Sequence, residues 1–205
     1  MTITNGYAEL AEQKTWQRID DTTDDARIEV AVEAASRLVD DYCGRRFWPD
    51  AVAAARTYAA RRSSFVTVDD ISSTSGLVVK TDEDGDGTFE TTWSSTDYQL
   101  EPLNSLARDS KPAWRLRAVG NYLFPVDANG RACVEVTAKW GWPAVPAPVK
   151  QATMIQAARL VGRRDSRFGI AGAADVGELR LLARVDADVA VLLAPFRRGV
   201  HVGED

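Results

Sequence analysis

Apolar residues recur with a helical period at both ends of the chain. The clearest run lies between Thr22, a candidate N-cap, and Gly44, a residue type that commonly ends helices in the left-handed conformation. Its apolar positions are spaced i, i+4, i+7, i+11 and i+14, which predicts one buried stripe over about five turns. The positions of this stripe are Ile28, Val32, Ala35, Val39 and Tyr42.

Three further helices are predicted from periodicity and capping residues. A short helix covers 5–18, and a longer one covers about 147–163 with Pro148 in its first turn. The longer helix is apolar on almost every side, so we expect it to be central in the core. The last helix begins at the cap residue Asp186 and ends near Pro195. The Gly- and Ala-rich segment 165–183 is predicted to be a loop.

The middle of the chain has a different pattern, with short runs rich in Thr, Val, Tyr and Trp between turn residues. Such runs are typical of strands. Alternation is most regular after Asn129-Gly130, a pair that favours a hairpin turn. Segments 69–75 and 101–112 are predicted to be loops. The predicted strands are 56–60, 64–68, 76–80, 88–93, 97–100, 114–119 and 132–140.

These patterns predict an α+β protein, an α-helical bundle of about four helices from both chain ends with a β-rich insertion. The predicted divisions are 1–55 for the N-terminal helices, 56–145 for the insertion, and 146–205 for the C-terminal helices and tail. We expect the two sets of helices to pack together, because neither has enough apolar surface for its own core.

Composition and charge argue against several classes of protein. The 205 residues carry 25 basic and 30 acidic side chains, a net charge of −5, which makes the chain a poor binder of nucleic acid. One histidine and two cysteines argue against a catalytic triad, a multi-histidine metal site or a disulfide framework. No phosphate-binding, dinucleotide-binding or nucleophile-elbow motif occurs, so we expect no enzyme. We also expect no signal peptide and no membrane span.

An acidic segment has the spacing of part of a calcium-binding loop. Asp82, Asp84 and Asp86 stand at positions 1, 3 and 5, and Gly87 stands at position 6. Trp93 occupies position 12, where such a loop needs a bidentate Glu, and the flanking sequences are typical of strands. Two interpretations stay open: a hairpin tip in which Asp-Gly steps supply positive φ, or a weak calcium site. No other cofactor is predicted.

Several motifs follow one another in order between about residues 5 and 170. They are AASR at 34–37 with DDYCGRRF at 40–47, VDDISS at 68–73, GLVVKTD at 76–82, DYQLEPLN at 97–104, KWGWPAVP at 139–146, and AARL at 157–160 followed by RRD at 163–165. The ordered set resembles the phage head–tail connector (adaptor) proteins of long-tailed phages. The long β-rich insertion departs from the shortest members of that family, which are little more than the helices.

The resemblance implies a structural, non-enzymatic subunit that forms a ring, usually twelve-fold, under the portal protein. Such a ring extends the DNA channel and provides a platform for a stopper or tail-completion protein, while genomic DNA passes without sequence-specific binding. It also implies synthesis in the host cytoplasm, a final location in the virion neck, and no membrane. We expect the insertion on the outer or tail-proximal side of the ring.

Contacts with the portal or with a neighbouring subunit are expected near the C-terminus. The loop after the fourth helix and the tail combine basic and apolar residues, which suits partner binding. The candidates are Arg163, Arg164, Phe168, Phe196, Arg197, Arg198 and His201.

Three other functions stay open as alternatives. The chain could be another viral neck protein, either a stopper or a tail-completion protein. It could be a calcium-dependent β-module that binds carbohydrate, although its six tryptophans are more typical of core or interface anchors. The third alternative is a small enzyme that uses aspartate pairs and a divalent ion.

Overall fold

The computed structural model describes residues 3–163, 170–171, 179–180 and 186–198. The fold is α+β, as predicted, and it divides into a helical unit of residues 1–46 and 145–205 and a sheet unit of residues 47–144. In chain order the elements are α1 (Leu10–Gln17), α2 (Asp25–Cys43), β1 (Ala54–Tyr58), β2 (Phe65–Thr81), β3 (Thr91–Trp93), β4 (Tyr98–Glu101), α3 (Ser105–Arg108), β5 (Ala113–Ala118), β6 (Val134–Trp140), α4 (Ala147–Gly162), β7 (Ile170–Ala171), β8 (Leu179–Arg180) and α5 (Ala187–Leu193).

Helix α2 dominates the helical unit and follows the predicted stripe. Ile28, Val32, Ala35 and Val39 are buried, and Gly44 ends the helix in the left-handed conformation, with φ of +64°. The predicted cap at Thr22 was wrong: Asp24 is the N-cap, and its carbonyl oxygen accepts the N–H of Ile28 at 2.9 Å.

The four α-helices that the structure describes in this unit are unequal, and they do not clearly form the predicted four-helix bundle. Helices α2 and α4 have 19 and 16 residues, while α1 and α5 have eight and seven. Helix α1 begins five residues later than predicted, after a capping box between Glu9 and Glu12. Helix α5 begins after Asp186 as predicted, and the Asp186 side chain accepts the N–H of Asp188.

Helix α4 is less buried than its apolar sequence predicts. Its fully buried positions form a single stripe, while other apolar side chains, such as Met154 and Leu160, are only half-buried. The loop predicted at 165–183 is interrupted by β7 and β8, which pair antiparallel, and its other residues lie outside those the structure describes. The buried stripe of α4 is Val149, Ala152, Thr153 and Ala157.

The sheet unit is built on two central antiparallel strands. Its strand order is β1-β6-β2-β5-β4, and β3 pairs with β2. The loop predicted at 69–75 was wrong, because β2 runs without interruption through it. Register shifts between Thr67 and Ile71 and again between Ile71 and Val78 let this polar stretch keep its partners β5 and β6.

Strand β6 has the alternating burial that its sequence predicts, but not the predicted hairpin. Residues 127–130 form a turn in which the N–H of Gly130 donates to the carbonyl of Asp127. The segment before this turn does not pair with β6, which instead lies between β1 and β2. Both edges of β6 are therefore hydrogen-bonded to strands that are distant in sequence.

Three of the motifs that carry the family resemblance meet inside the sheet unit. The N–H of Gly141 donates to the carbonyl of Asp70 at 2.7 Å, and the indole N–H of Trp142 donates to the Asp70 carboxylate at 3.2 Å. The ring of Phe47 lies 5.1 Å from that of Trp142, centroid to centroid. We call these four residues, Phe47, Asp70, Gly141 and Trp142, the junction.

Position 141 of the junction requires glycine, because of its backbone conformation and the close approach of Trp48. Its φ is +106°, and a Cβ atom there would clash with the carbonyl oxygen of Trp48 and lie 3.0 Å from the carbonyl carbon. We expect Gly141→Ala to lower the free energy of unfolding by more than about 2 kcal/mol, measured by urea denaturation.

Gly162 provides the matched control for that substitution. It ends α4, and no heavy atom lies within 4 Å of its hypothetical Cβ, so Gly162→Ala should be neutral or stabilise by up to about 1 kcal/mol. Equal effects of the two substitutions would contradict the role given to Gly141.

Candidate functional site

The acidic segment 82–90 forms the tip of the β2–β3 hairpin, as one of the two interpretations predicted. The register pairs Thr81 with Thr91 and leaves the segment between them as the connecting loop. Gly85 and Gly87 have φ values of +77° and +97°, the positive values that the Asp-Gly steps were expected to supply.

The Asp82 carboxylate is the main hydrogen-bond acceptor within the loop. Its side chain is almost completely buried, and its two carboxylate oxygens accept the N–H groups of Gly85 at 2.7 Å and Gly87 at 2.8 Å. Asp84 and Asp86 are exposed and accept one backbone N–H each, from Asp86 and Thr88. The loop is therefore closed by its own hydrogen bonds.

The structure brings a fourth carboxylate to the three predicted ones. One oxygen from each of Asp82, Asp84, Asp86 and Glu90 lies within 4.8 Å of the others, a grouping that could hold a cation. Glu90 is position 9 of the loop, which supplies a ligand in EF-hands, so its spacing could have identified it. Trp93 at position 12 is buried and donates its indole N–H to the Thr81 hydroxyl at 3.0 Å, so it supplies no ligand.

The electrostatics of the loop favour the ionised form of Asp82. Burial acts to raise the pKa of this carboxyl, but the N–H groups of Gly87, Gly85 and Asp86, with the Arg131 guanidinium, outweigh burial and lower the pKa. Arg131 also donates to the carbonyl oxygen of Gly85. A positive group thus already lies beside the carboxylates.

The predicted partner-binding residues that the structure describes lie in the helical unit. Arg163 is exposed just after α4, and Phe196 is half-buried in a 3-10 turn, Ala194–Phe196. The Arg197 guanidinium lies 5.1 Å from the centroid of the Tyr42 ring, and the Arg198 N–H donates to the Cys43 carbonyl at 2.8 Å. Residues 197–198 therefore lie against the end of α2. Arg164, Phe168 and His201 lie outside the described residues.

A polar cluster that the sequence analysis missed fixes the N-terminal segment onto α2. The buried Tyr7 donates its backbone N–H to the Ser36 hydroxyl at 3.1 Å and its own hydroxyl to the Asp40 carboxylate. Arg37 forms an ion pair with Asp40 at 3.0 Å and donates to the carbonyl of Asn5 at 2.9 Å. Burial raises the pKa of Asp40 to about 6, although Tyr7 and Arg37 act to lower it.

Comparison with known proteins gives a family match and a fold match. Residues 8–100 match the model of the family described as "Head completion protein". No curated protein matches the chain. None of the described helices combines the length and the apolar character that are needed to cross a membrane.

Three solved structures are similar along almost the whole chain. A subunit of "Neck of empty GTA particle computed with C6 symmetry" has a TM-score of 0.56 and 20% identity, covering 100% of this chain and 97% of that one. A subunit of "Neck of native GTA particle computed with C12 symmetry" has a TM-score of 0.53 and 18% identity, with the same coverage. A subunit of "Virion of native gene transfer agent (GTA) particle" has a TM-score of 0.50 and 17% identity, covering 99% and 95%.

At these identities the structural likeness shows the fold. Together with the family match, it is consistent with a phage head–tail connector-type protein, the class that the sequence motifs resemble. The location expected from that resemblance, the neck of a phage-like particle, agrees with the same comparisons.

The hydrogen bonds of the acidic loop lead to a test that separates its structural role from calcium binding. Asp82→Ala removes the two carboxylate oxygens that accept the backbone N–H groups of Gly85 and Gly87, so we expect the Tm to fall by several degrees without added metal. Asp84→Ala changes an exposed residue with one local bond and should leave the Tm almost unchanged. Differential scanning fluorimetry with calcium or chelator completes the test: a calcium-induced rise in Tm that Asp84→Ala abolishes would show a cation site.

The raised pKa of Asp40 predicts a pH dependence of stability. A carboxyl whose pKa rises from 3.8 to about 6 on folding stabilises the fold most below pH 4, and this contribution is lost as the pH rises through 6. Relative to Asp40→Asn, the wild-type free energy of unfolding should fall by about 2–3 kcal/mol between pH 4 and pH 7. Urea denaturation at several pH values measures the difference, and parallel pH profiles for the two proteins would contradict the assignment.

Proposed function

We propose that this chain is a structural head–tail adaptor of a phage-like particle. It assembles as a ring under the portal protein, extends the DNA channel, and provides the docking platform for the next neck or tail protein. The observation that carries the proposal is the similarity to neck subunits over the full length of both chains, helical and sheet units together. The family match over residues 8–100 supports it independently.

The symmetry of the similar particles supports a ring. Their necks were computed with six-fold and twelve-fold symmetry, and we propose that this chain is likewise present in one of those copy numbers or a closely related one. Twelve copies agree with the usual number in the family that the motifs resemble. The helical unit would then supply the surfaces through which each subunit contacts its neighbours.

The charge distribution suits a channel that DNA passes through without being held. The net charge is −5, and several basic side chains are engaged in close ion pairs with acidic ones. Such pairing leaves these cations less able to displace counterions from DNA. Four of these pairs have separations of 2.6 Å each: Lys14–Asp25, Arg56–Asp69, Arg117–Glu101 and Lys150–Glu12.

The proposed role requires neither catalysis nor a cofactor. The family and the similar structures are of structural neck proteins, so we propose that the chain has no enzymatic activity. Calcium binding by the 82–90 loop stays a prediction, which the calcium titration of Asp84→Ala tests. Portal contacts by the residues around 163 and 196–201 also stay a prediction.

Adding the purified protein to DNA-filled, tailless capsids from its own particle tests the proposal. We expect electron microscopy to show a collar at a single vertex of each capsid, and fewer capsids to lose their DNA. Capsids that already carry tails are the control, because their vertex is closed, and they should gain no collar.

Two other outcomes would contradict the adaptor assignment. A collar that forms only on capsids already carrying another neck ring would indicate a stopper or tail-completion protein. No collar on any capsid, with purified portal also failing to retain the protein, would exclude a neck role.

A further inference from the structure

Helix α2 carries a second apolar row, on the side away from the core. Its members are spaced four residues apart over three turns, and all are exposed to solvent. Val30 and Leu38 are 52% and 46% exposed, high values for large apolar side chains on a regular helix. We call this row, Ala26, Val30, Ala34 and Leu38, the ridge.

The ridge points away from α1 and α4, the described helices against which α2 packs. At about 100° per residue, it lies roughly 150° around the helix from the buried stripe of Ile28, Val32 and Val39. Rows of residues spaced by four are the ridges that pack into grooves of another helix, with axes about 8–10 Å apart. Small residues at positions 26 and 34 would allow such a close approach.

Two arginines beside the ridge are directed away from it. Arg27 donates to the carbonyl of Val161 at 2.7 Å. Arg37 precedes Leu38, but its guanidinium is directed toward the Asp40 carboxylate at 3.0 Å and the Asn5 carbonyl at 2.9 Å. It therefore lies along the N-terminal segment rather than over Ala34.

The same helical unit has an apolar groove on a different surface. Helices α1 and α4 leave an open groove of about 450 Å³, in which Trp16 is 44% exposed. Ala11 and Thr15 form a row of small side chains along one wall, and the half-buried Met154 contributes from α4. The lining residues are Ala11, Glu12, Thr15, Trp16 and Met154, none of them on α2.

The exposed Arg18 beside the groove is opposite in charge to two glutamates beside the ridge. Glu29 and Glu33 lie on α2 along one side of the ridge. The exposed Arg18, directly after α1, lines a depression that adjoins the groove, together with Asp20 and with Lys14, whose ammonium pairs with Asp25 at 2.6 Å. Opposite charges at the edge of an interface steer association and fix its register.

We propose that the ridge of one copy of this chain packs into the α1–α4 groove of the next copy. A ridge and a groove on different surfaces of one unit make a head-to-tail contact, the kind that closes into a ring when the rotation per subunit allows it. The inference rests on the proposed ring function and names the surfaces that build the ring. A two-fold symmetric dimer would instead require the same surface of both copies to bind itself, ridge to ridge or groove to groove.

Cysteine cross-linking in assembled collars tests this contact. The chain's own thiols interfere little: Cys43 and Cys133 are buried, and burial raises the pKa of Cys43 to about 11. The double variant Thr15→Cys/Val30→Cys, bound to tailless capsids and treated with a short bis-maleimide, should give a ladder of covalent oligomers on a denaturing gel. Its highest band would report the number of subunits in the ring.

The single-cysteine variants are the matched controls. Thr15→Cys alone and Val30→Cys alone should give no covalent oligomer, while a mixture of the two should give dimers only. Dimers from Val30→Cys alone would show a face-to-face contact and overturn the proposal. Collars that form normally but give no ladder with the double variant would overturn it as well.

A charge substitution on the ridge provides a second readout. Val30→Asp with Leu38→Asp should abolish collars while leaving the Tm of the free chain within a few degrees, because both positions are exposed. Val52→Asp, at a 75% exposed site in the sheet unit, is the control and should form collars normally. Normal collars from the ridge variant would overturn the inference without affecting the proposed function, whereas no wild-type collar would overturn both.

Discussion

The sheet unit depends on one backbone contact, the hydrogen bond from Gly141 to Asp70. The contact joins β2 to the end of β6, and it exists because a residue without a side chain allows the Trp48 carbonyl to lie against it. The N–H of Asp50 donates to the Trp140 carbonyl at 2.8 Å, and the Trp140 indole donates to the Ala54 carbonyl at 2.7 Å. The first and last segments of the unit are thereby held side by side.

This contact explains how the sheet unit, residues 47–144, can be inserted in the chain between α2 and α4 of the helical unit. An inserted unit is tolerated when its first and last residues are close in space, because the host chain then needs no long detour. Here Phe47 and Trp142, near the two ends of the sheet unit, are in ring contact at 5.1 Å between centroids. Three of the motifs that resemble a connector family therefore contain the residues that close the insertion.

The sequence was most informative where local rules decide the structure. The buried stripe of α2 follows from its apolar period, its end follows from Gly44, and the start of α5 follows from the cap residue Asp186. The two ends of β2 were predicted as the strands 64–68 and 76–80, but its continuity between them was not, because the middle stretch is polar and its pairing depends on register shifts against β5 and β6. The hydrogen bond of Asp70 could not be predicted either, because its partner Trp142 lies 72 positions away in the sequence.

The acidic loop also has features that its sequence predicts and features that only the structure shows. Spacing alone identified Asp82, Asp84 and Asp86 and the hairpin that holds them, and position 9 could have added Glu90. What spacing could not reveal is that Asp82 is buried and bonded to Gly85 and Gly87, which makes it a structural residue whether or not a cation binds.

The central claim is that this chain is a ring-forming subunit of a particle neck. A cryo-electron microscopy reconstruction of native particles, computed at the tail vertex without imposed symmetry, tests it most directly. The account predicts a single ring of copies beneath the portal, each subunit fitting the helical and sheet units described above. Finding the chain in the capsid shell, in the tail tube, or absent from the vertex would contradict it.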